Sequence, residues 1–279
     1  MYREFYGLKE KPFNVTSDPN FLFFSRTHKE AFSHILYGIK ERKGFISITG
    51  EIGAGKTTIC RAIINQLDAH NIKSAFIFNP SLSGLQLLEA ILEDFGIKPK
   101  SSNKIDLFNQ LNKFLISELS SNQNVVLIID EAQNIRNNLL EEIRMLSNLE
   151  TEKEKLFQII LVGQPQLNNK LNSSELWQLR QRVAIRFHIK PLEKDEVGAY
   201  INHRLKVAGS DGSIKFTDDA FEIIYKFSKG IPRLINLFCD RSLLTGYVTE
   251  VRIINHEIVT KSIKELDKDC FKQEELLAA

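Results

Sequence analysis

Gly50-Glu51-Ile52-Gly53-Ala54-Gly55-Lys56-Thr57 decides how this chain folds. The stretch matches G-x-x-x-x-G-K-[ST] at every fixed position. Phe45 to Thr49, just before it, is a short apolar run that reads as a buried strand, and about Lys56 to Ala69 reads as a helix. Strand, glycine-rich turn and helix in that order make a phosphate cradle. The glycines let the backbone wrap closely enough for its N–H groups to face phosphate oxygens, and the helix N-terminus adds partial positive charge. Lys56 is the candidate ligand of the β- and γ-phosphates of ATP, and Thr57 offers a hydroxyl to Mg2+. Gly50, Glu51, Ile52, Gly53, Ala54, Gly55 and Thr58 complete the candidate nucleotide-binding stretch.

Val125-Val126-Leu127-Ile128-Ile129-Asp130-Glu131 supplies the second half of such a site. Five apolar residues are too few for a helix and suit a strand buried on both faces, which delivers two carboxylates at its C-terminal end. Alone, a strand ending in Asp-Glu is weak; downstream of a phosphate loop it is strong. Asp130 is the candidate Mg2+ ligand, and Glu131 the candidate general base for an attacking water.

Outward from these motifs, strands alternate with helices. Lys73 to Asn79 and Phe157 to Val162 read as strands, and Ala184 to Ile189 as the last. Ser83 caps a helix rich in leucine and isoleucine, and further helices span about Lys104 to Ser120, Asn138 to Glu150 and Glu175 to Gln181. Thr27-His28-Lys29-Glu30 fits a capping box that opens an amphipathic helix ended by Gly44. This alternation predicts an α/β fold, a five-stranded parallel sheet between helices. After Pro191 only helical periods remain: Asp195–Ala208, Asp218–Ser228, Pro232–Val248 and His256–Leu266, which predict a small all-helical lid. The expected organisation is a 1–26 segment broken by Gly7, Pro12 and Pro19, a 27–191 core, a 192–267 lid and a frayed tail at 268–279.

Composition narrows the function. Of 279 residues, 43% are hydrophobic and 26% charged, ordinary values that argue against long disorder. The formal net charge of +2 neither predicts nor excludes a nucleic-acid partner. Cys60, Cys239 and Cys270 are scattered without C-x-x-C spacing and read as reduced thiols, and the histidines show no zinc-binding pattern. No apolar run approaches the roughly 18 residues that a membrane span needs, and the N-terminus has no leader-like pattern, so a cytoplasmic location is expected.

These residues in this order resemble the AAA+ superfamily and, more narrowly, the general secretion pathway protein A (ExeA-like) ATPases. The resemblance rests on Phe5-Tyr6-Gly7-Leu8 with Pro12-Phe13 and Asp18-Pro19, on Gly44-Phe45 leading into the phosphate loop, on Gly163-Gln164-Pro165, on Leu179-Arg180-Gln181-Arg182 and on Gly230-Ile231-Pro232-Arg233. It covers nearly the whole chain. The resemblance implies that Gln164 holds the sensor-1 position near the attacking water. It implies that an arginine finger precedes the last strand, with Arg182 first in order, Arg180 second and Arg186 a further candidate. It implies that Arg233 is the sensor-2 residue at the start of a lid helix, and that Ile231 and Pro232 flank the base. Tyr6, Leu8, Pro12 and Phe13 are expected to close over the adenine. Longer relatives continue into a membrane span and a peptidoglycan-binding part; this chain stops at Ala279, so direct membrane insertion is not expected of it.

The function implied is that of an ATP-hydrolysing protein that powers or switches assembly of a secretion system or surface appendage. It would act as an ATP-dependent homo-oligomer with a secretion or assembly protein as partner, and a partner would bring it to the inner membrane. The alternative is a DNA-associated helper ATPase of the transposition type, which shares core and lid. A basic stripe or an added DNA-binding domain would favour that alternative, and the sequence shows neither.

Overall fold

Three strands of this chain contain almost nothing but apolar residues, and they form the centre of a five-stranded sheet. The computed structural model describes residues 2–78, 80–150 and 155–277, with side chains as far as residue 266. The chain divides into two compact units. One comprises Met1–Ser25, Gly53–Gly55 and Pro191–Ala279, the other Arg26–Ile52 and Lys56–Lys190.

The second of these holds, in order, α2 (Arg26–Lys40; α1 is Tyr2–Phe5), β1 (Phe45–Gly50), α3 (Lys56–Ala69), β2 (Lys73–Ile77), α4 (Gly84–Asp94) and α5 (Lys104–Ser120). Then come β3 (Val125–Ile129), α6 (Asn137–Leu146), β4 (Gln158–Gly163), α7 (Pro165–Leu171), α8 (Trp177–Arg182) and β5 (Val183–Ile189). The strands are all parallel, in the order β2-β3-β4-β1-β5. Every residue of β1, β3 and β4 is buried, as expected where helices cover both faces of a parallel sheet. Edge strand β5 alternates instead between half-buried and exposed. This order sets the carboxyl ends of β3, β4 and β1 side by side, where ligands bind in open α/β sheets.

The other unit is a helical bundle of α9 (Lys194–Val207), α10 (Asp218–Ser228), α11 (Pro232–Val248) and α12 (His256–Leu277). Its core contains Val197, Ile201, Ile224, Ile235, Leu243 and Val259, and also Tyr2, Tyr6, Leu8, Phe13 and Phe21 from the N-terminal segment. That segment is therefore part of the bundle rather than a separate cover.

One buried cation pins it there. Arg204 of α9 donates from Nε to the Pro12 carbonyl at 2.6 Å, from one terminal nitrogen to the Asn14 carbonyl at 3.2 Å and from the other to the Tyr200 hydroxyl at 3.1 Å. Its guanidinium lies 4.8 Å from the Phe21 ring centroid. Arg204→Ala would orphan two carbonyls and open a cavity, and is expected to cost about 2–4 kcal/mol. A thermal melt and limited proteolysis of the 9–20 stretch check this; unchanged melting with an intact segment would show that the arginine pins nothing.

Several local expectations need correction. Helix α2 begins at Arg26, so Thr27 lies inside its first turn rather than capping it, and its hydroxyl donates to the Lys190 carbonyl at 3.2 Å. The bundle is not purely helical: β6 (Lys215–Phe216) and β7 (Ile253–Ile254) pair in parallel. Strands of two residues leave no alternation for a sequence to display. Helix α6 stops at Leu146, and Glu150 instead bridges Lys155. Helix α12 runs to Leu277, beyond the Leu266 end expected for it, and residues 278–279 lie outside the described ones. The second strand ends at Ile77; Asn79, where it was expected to end, also lies outside them, as does the Cys270 side chain. Ser83 does cap α4, in a full capping box with Gln86.

Candidate active site

The loop after β1 turns back through Gly53 and Gly55, both at positive φ (+80° and +90°), where only glycine is unstrained. At Gly53 a side chain would also meet the Arg233 Cβ at 2.5 Å. The Arg233 amide donates to the Gly53 carbonyl at 3.2 Å, and these two residues fall in the same unit. Ile231 and buried Pro232 precede Arg233, which opens α11 with its side chain exposed.

Lys56 is the first residue of α3 and is only 6% exposed. Its Nζ donates to the carbonyls of Gly50 and Glu51, each at 2.9 Å. Burial pulls its pKa below the ordinary lysine value, and Glu131, Asp130 and Glu51 oppose that shift. The ammonium thus rests on its own loop in contacts that phosphate oxygens can replace. Thr58 is half-buried beside it; Glu51 and Ile52 are exposed and Ala54 is buried.

Thr57 and Asp130 meet. The Thr57 hydroxyl donates to Asp130 Oδ2 at 2.6 Å, and the Glu131 amide donates to Asp130 Oδ1 at 2.8 Å. Asp130 is fully buried, and burial raises its carboxyl pKa above the usual value, although both hydrogen bonds oppose this. A hydroxyl and a desolvated carboxylate at one point form a hard-oxygen pair that fits Mg2+. Among the described residues no cluster of three His, Cys, Asp or Glu could hold an ion unaided. Phosphate oxygens and water would therefore complete the shell, as this cation prefers.

A raised carboxyl pKa has a sign. The fold is penalised as pH rises from the unfolded chain's acid range through the folded value, and the penalty is complete once pH lies above that value. An asparagine at this position would satisfy both partners, with its carbonyl facing the Glu131 amide and its NH2 facing the Thr57 oxygen. Asp130→Asn is expected to raise the melting temperature near neutral pH by about 2–4 °C. The gain should vanish as pH falls toward the ordinary value of 3.8. Melts across pH decide it: an equal gain at every pH would mean that charge is not its source.

Glu131 has φ +54° in the left-handed region, rare for a residue with a side chain. Its Oε2 accepts from Gln164 Nε2 at 3.2 Å and from Gln133 Nε2 at 2.5 Å. Gln164, just after β4, is therefore brought to Glu131. Gln133 went unseen in the sequence, where a lone glutamine in a one-turn 3-10 segment (Ala132–Asn134) gives no signal.

The arginines before β5 differ in what they touch. Arg182 is half-buried and donates to the buried Ser147 hydroxyl at 2.7 Å. Arg186 donates to Asn172 Oδ1 and to the Arg180 carbonyl. Arg180 is exposed, and its guanidinium makes no hydrogen bond or ion pair among the described residues. Arg182, first in the expected order, is thus held within its own chain.

The adenine contacts expected of the N-terminal segment also need correction. Tyr6 and Phe13 are completely buried in the bundle core and Leu8 nearly so. The Tyr6 hydroxyl donates to the carbonyls of Val251 (3.0 Å) and Leu243 (3.2 Å), and burial pushes its pKa up to about 12. Pro12 is buried too, its carbonyl held by Arg204. Side chains packed this way have no ring face left for a base.

With this geometry in place, known proteins can be compared. Residues 39–171 match the AAA domain family. Over that stretch the chain is similar to the AAA domain. Over 267 residues it is 39% identical to general secretion pathway protein A of Aeromonas hydrophila, an alignment that covers 95% of this chain and 48% of that relative. The chain thus spans about half of that protein's length. Among solved structures, the ORC2 protein of Aeropyrum pernix (ADPNP–ADP complexes) superimposes with a TM-score of 0.70 at 16% identity, over 92% of this chain and 72% of that one. Cdc6p from Pyrobaculum aerophilum gives 0.65 at 18% identity, over 86% and 67%. These likenesses show that the chain shares the α/β fold of those structures.

Proposed function

We propose that this AAA protein binds ATP with Mg2+ and hydrolyses it as a homo-oligomer, and that the cycle drives assembly of a secretion system or surface appendage. One observation carries the proposal. Lys56, the Thr57–Asp130 pair and the Glu131–Gln164 pair stand together at the carboxyl ends of β1, β3 and β4.

Lys56 exchanges its loop carbonyls for β- and γ-phosphate oxygens, and the loop amides take the rest of the charge. Thr57 and Asp130 would hold Mg2+, which when bound neutralises charge on the phosphates. Glu131 accepts the proton of the attacking water. The Gln164 amide can both donate and accept beside that water. Arg233 is assigned to the γ-phosphate and Ile231 and Pro232 to the base. Arg180 is assigned to a neighbouring subunit's site, as the finger that stabilises transition-state charge. The secretion role and a secretion-protein partner follow from the relative's name, and recruitment to the inner membrane would come through that partner. Among the described residues no helix is long and apolar enough to cross a membrane.

The test is ATPase rate against protein concentration, with and without Mg2+ and with and without duplex DNA at two salt levels. A steep rise with concentration, dependence on Mg2+ and indifference to DNA support a self-assembling ATPase. Strong, salt-sensitive stimulation by DNA replaces it with a DNA-associated helper.

A further inference from the structure

Gln133 lies two residues beyond Glu131, on the turn between β3 and α6, and both ends of its amide are committed. Its Nε2 donates to Glu131 Oε2 at 2.5 Å, while its Oε1 accepts the backbone N–H of Gln164 at 2.9 Å. The second bond fixes which end is oxygen, since a backbone N–H needs an acceptor. The turn that carries it is itself pinned: Lys170 Nζ donates to the carbonyls of Gln133 (2.6 Å) and Ile135 (2.7 Å). Space for the amide comes from Gly163, where a Cβ would stand 2.7 Å from Gln133 Oε1 and 3.3 Å from its N. The glycine of Gly163-Gln164-Pro165 is thus explained by a side chain on another strand's turn.

We propose that Gln133 is the positioning residue that sets the Glu131 carboxylate for its work. The inference rests on reading Glu131 as the base. Gln133 and Gln164 load two donors onto Oε2, and among the described residues no donor reaches Oε1. One oxygen is thus clamped and the other keeps its lone pairs for the proton of water. Because Gln133 also holds the Gln164 amide, it locks the base to the sensor residue, so that both face the water from fixed places. An amide can do this because it carries a donor and an acceptor side by side. A carboxylate at 133 would keep the bond to Gln164 but repel Glu131, and an alkyl group would lose both bonds.

The experiment compares Gln133→Glu and Gln133→Ala with the unmutated full chain at saturating Mg2+ and ATP, and repeats both substitutions in a Glu131→Gln background. Fluorescent ADP binding and thermal melts are followed in parallel. In the unmutated background kcat should fall about 100-fold for Glu and about tenfold for Ala, with KM for ATP and ADP affinity within about twofold. In the Glu131→Gln background neither substitution should lower the residual rate further, because the residue acts through Glu131. Unchanged kcat, an effect on KM alone, or equal losses in the two backgrounds would overturn the assignment while leaving the base reading intact. An unmutated chain that hydrolyses no ATP at any concentration overturns the base reading, and this inference with it.

Discussion

Glu131→Gln is expected to lower kcat by about 10²- to 10⁴-fold while ATP still binds. Glutamine has nearly the same shape, and its carbonyl can accept from both the Gln133 and Gln164 amides, so the surroundings of residue 131 need not rearrange. The left-handed backbone there, φ +54°, depends on the turn and not on the carboxylate, and should persist. What disappears is the group able to take a proton. Lys56, Thr57 and Asp130 are untouched, so the affinity for ATP and Mg2+ should change little, and ATP-bound oligomer should accumulate because the step that consumes it has stalled. Stopped-assay kcat, binding of a fluorescent ATP analogue and sedimentation in ATP provide the three readings. A variant that turns over at the unmutated rate would remove Glu131 from the chemistry. A variant that no longer binds ATP would mean that the residue shapes the pocket.

That this site can be read in the sequence at all follows from how it is built. Asp130 and Glu131 lie directly at the end of β3, an uninterrupted apolar run because both of its faces are covered, and Lys56 and Thr57 follow β1 at the fixed spacing of the glycine loop. A regular pattern followed at once by a charged residue places that residue in space. Gln133 follows no such pattern. Its partner Gln164 is 31 residues away, and only the adjacency of β3 and β4 brings the two together. The N-terminal aromatics misled for a different reason. Tyr6, Leu8 and Phe13 have the composition of a base-stacking strap and equally of a core, and the buried Arg204 that draws the segment onto the bundle is about 190 residues away, at 190 and 192 positions from its carbonyl partners. The arginines before β5 were ordered with Arg182 first, yet the bond from Arg182 to Ser147 joins α8 to the end of α6, and no local spacing reveals it.

Arg180→Ala is expected to lower kcat about 10³-fold at concentrations where the unmutated chain assembles, with ATP affinity retained. The expectation comes from what each arginine already does. Arg182 gives a hydrogen to Ser147 inside its own chain, and Arg186 gives two to Asn172 and the Arg180 carbonyl. A finger must instead be available to another subunit, and Arg180, exposed on α8, is the one whose guanidinium makes no such bond among the described residues. Arg182→Ala should then cost about 1 kcal/mol of stability and leave hydrolysis nearly intact. Mixing separates a finger from a residue of the same subunit's site. Arg180→Ala chains keep a complete base, and Glu131→Gln chains keep a complete finger, so each is inactive alone. In a one-to-one mixture of the two, random assembly sets an intact site against an intact finger at about one quarter of interfaces, and activity should return to roughly that share. No recovery on mixing would place Arg180 within its own subunit's site, and a thousandfold loss in Arg182→Ala would move the finger there, at the cost of its bond to Ser147.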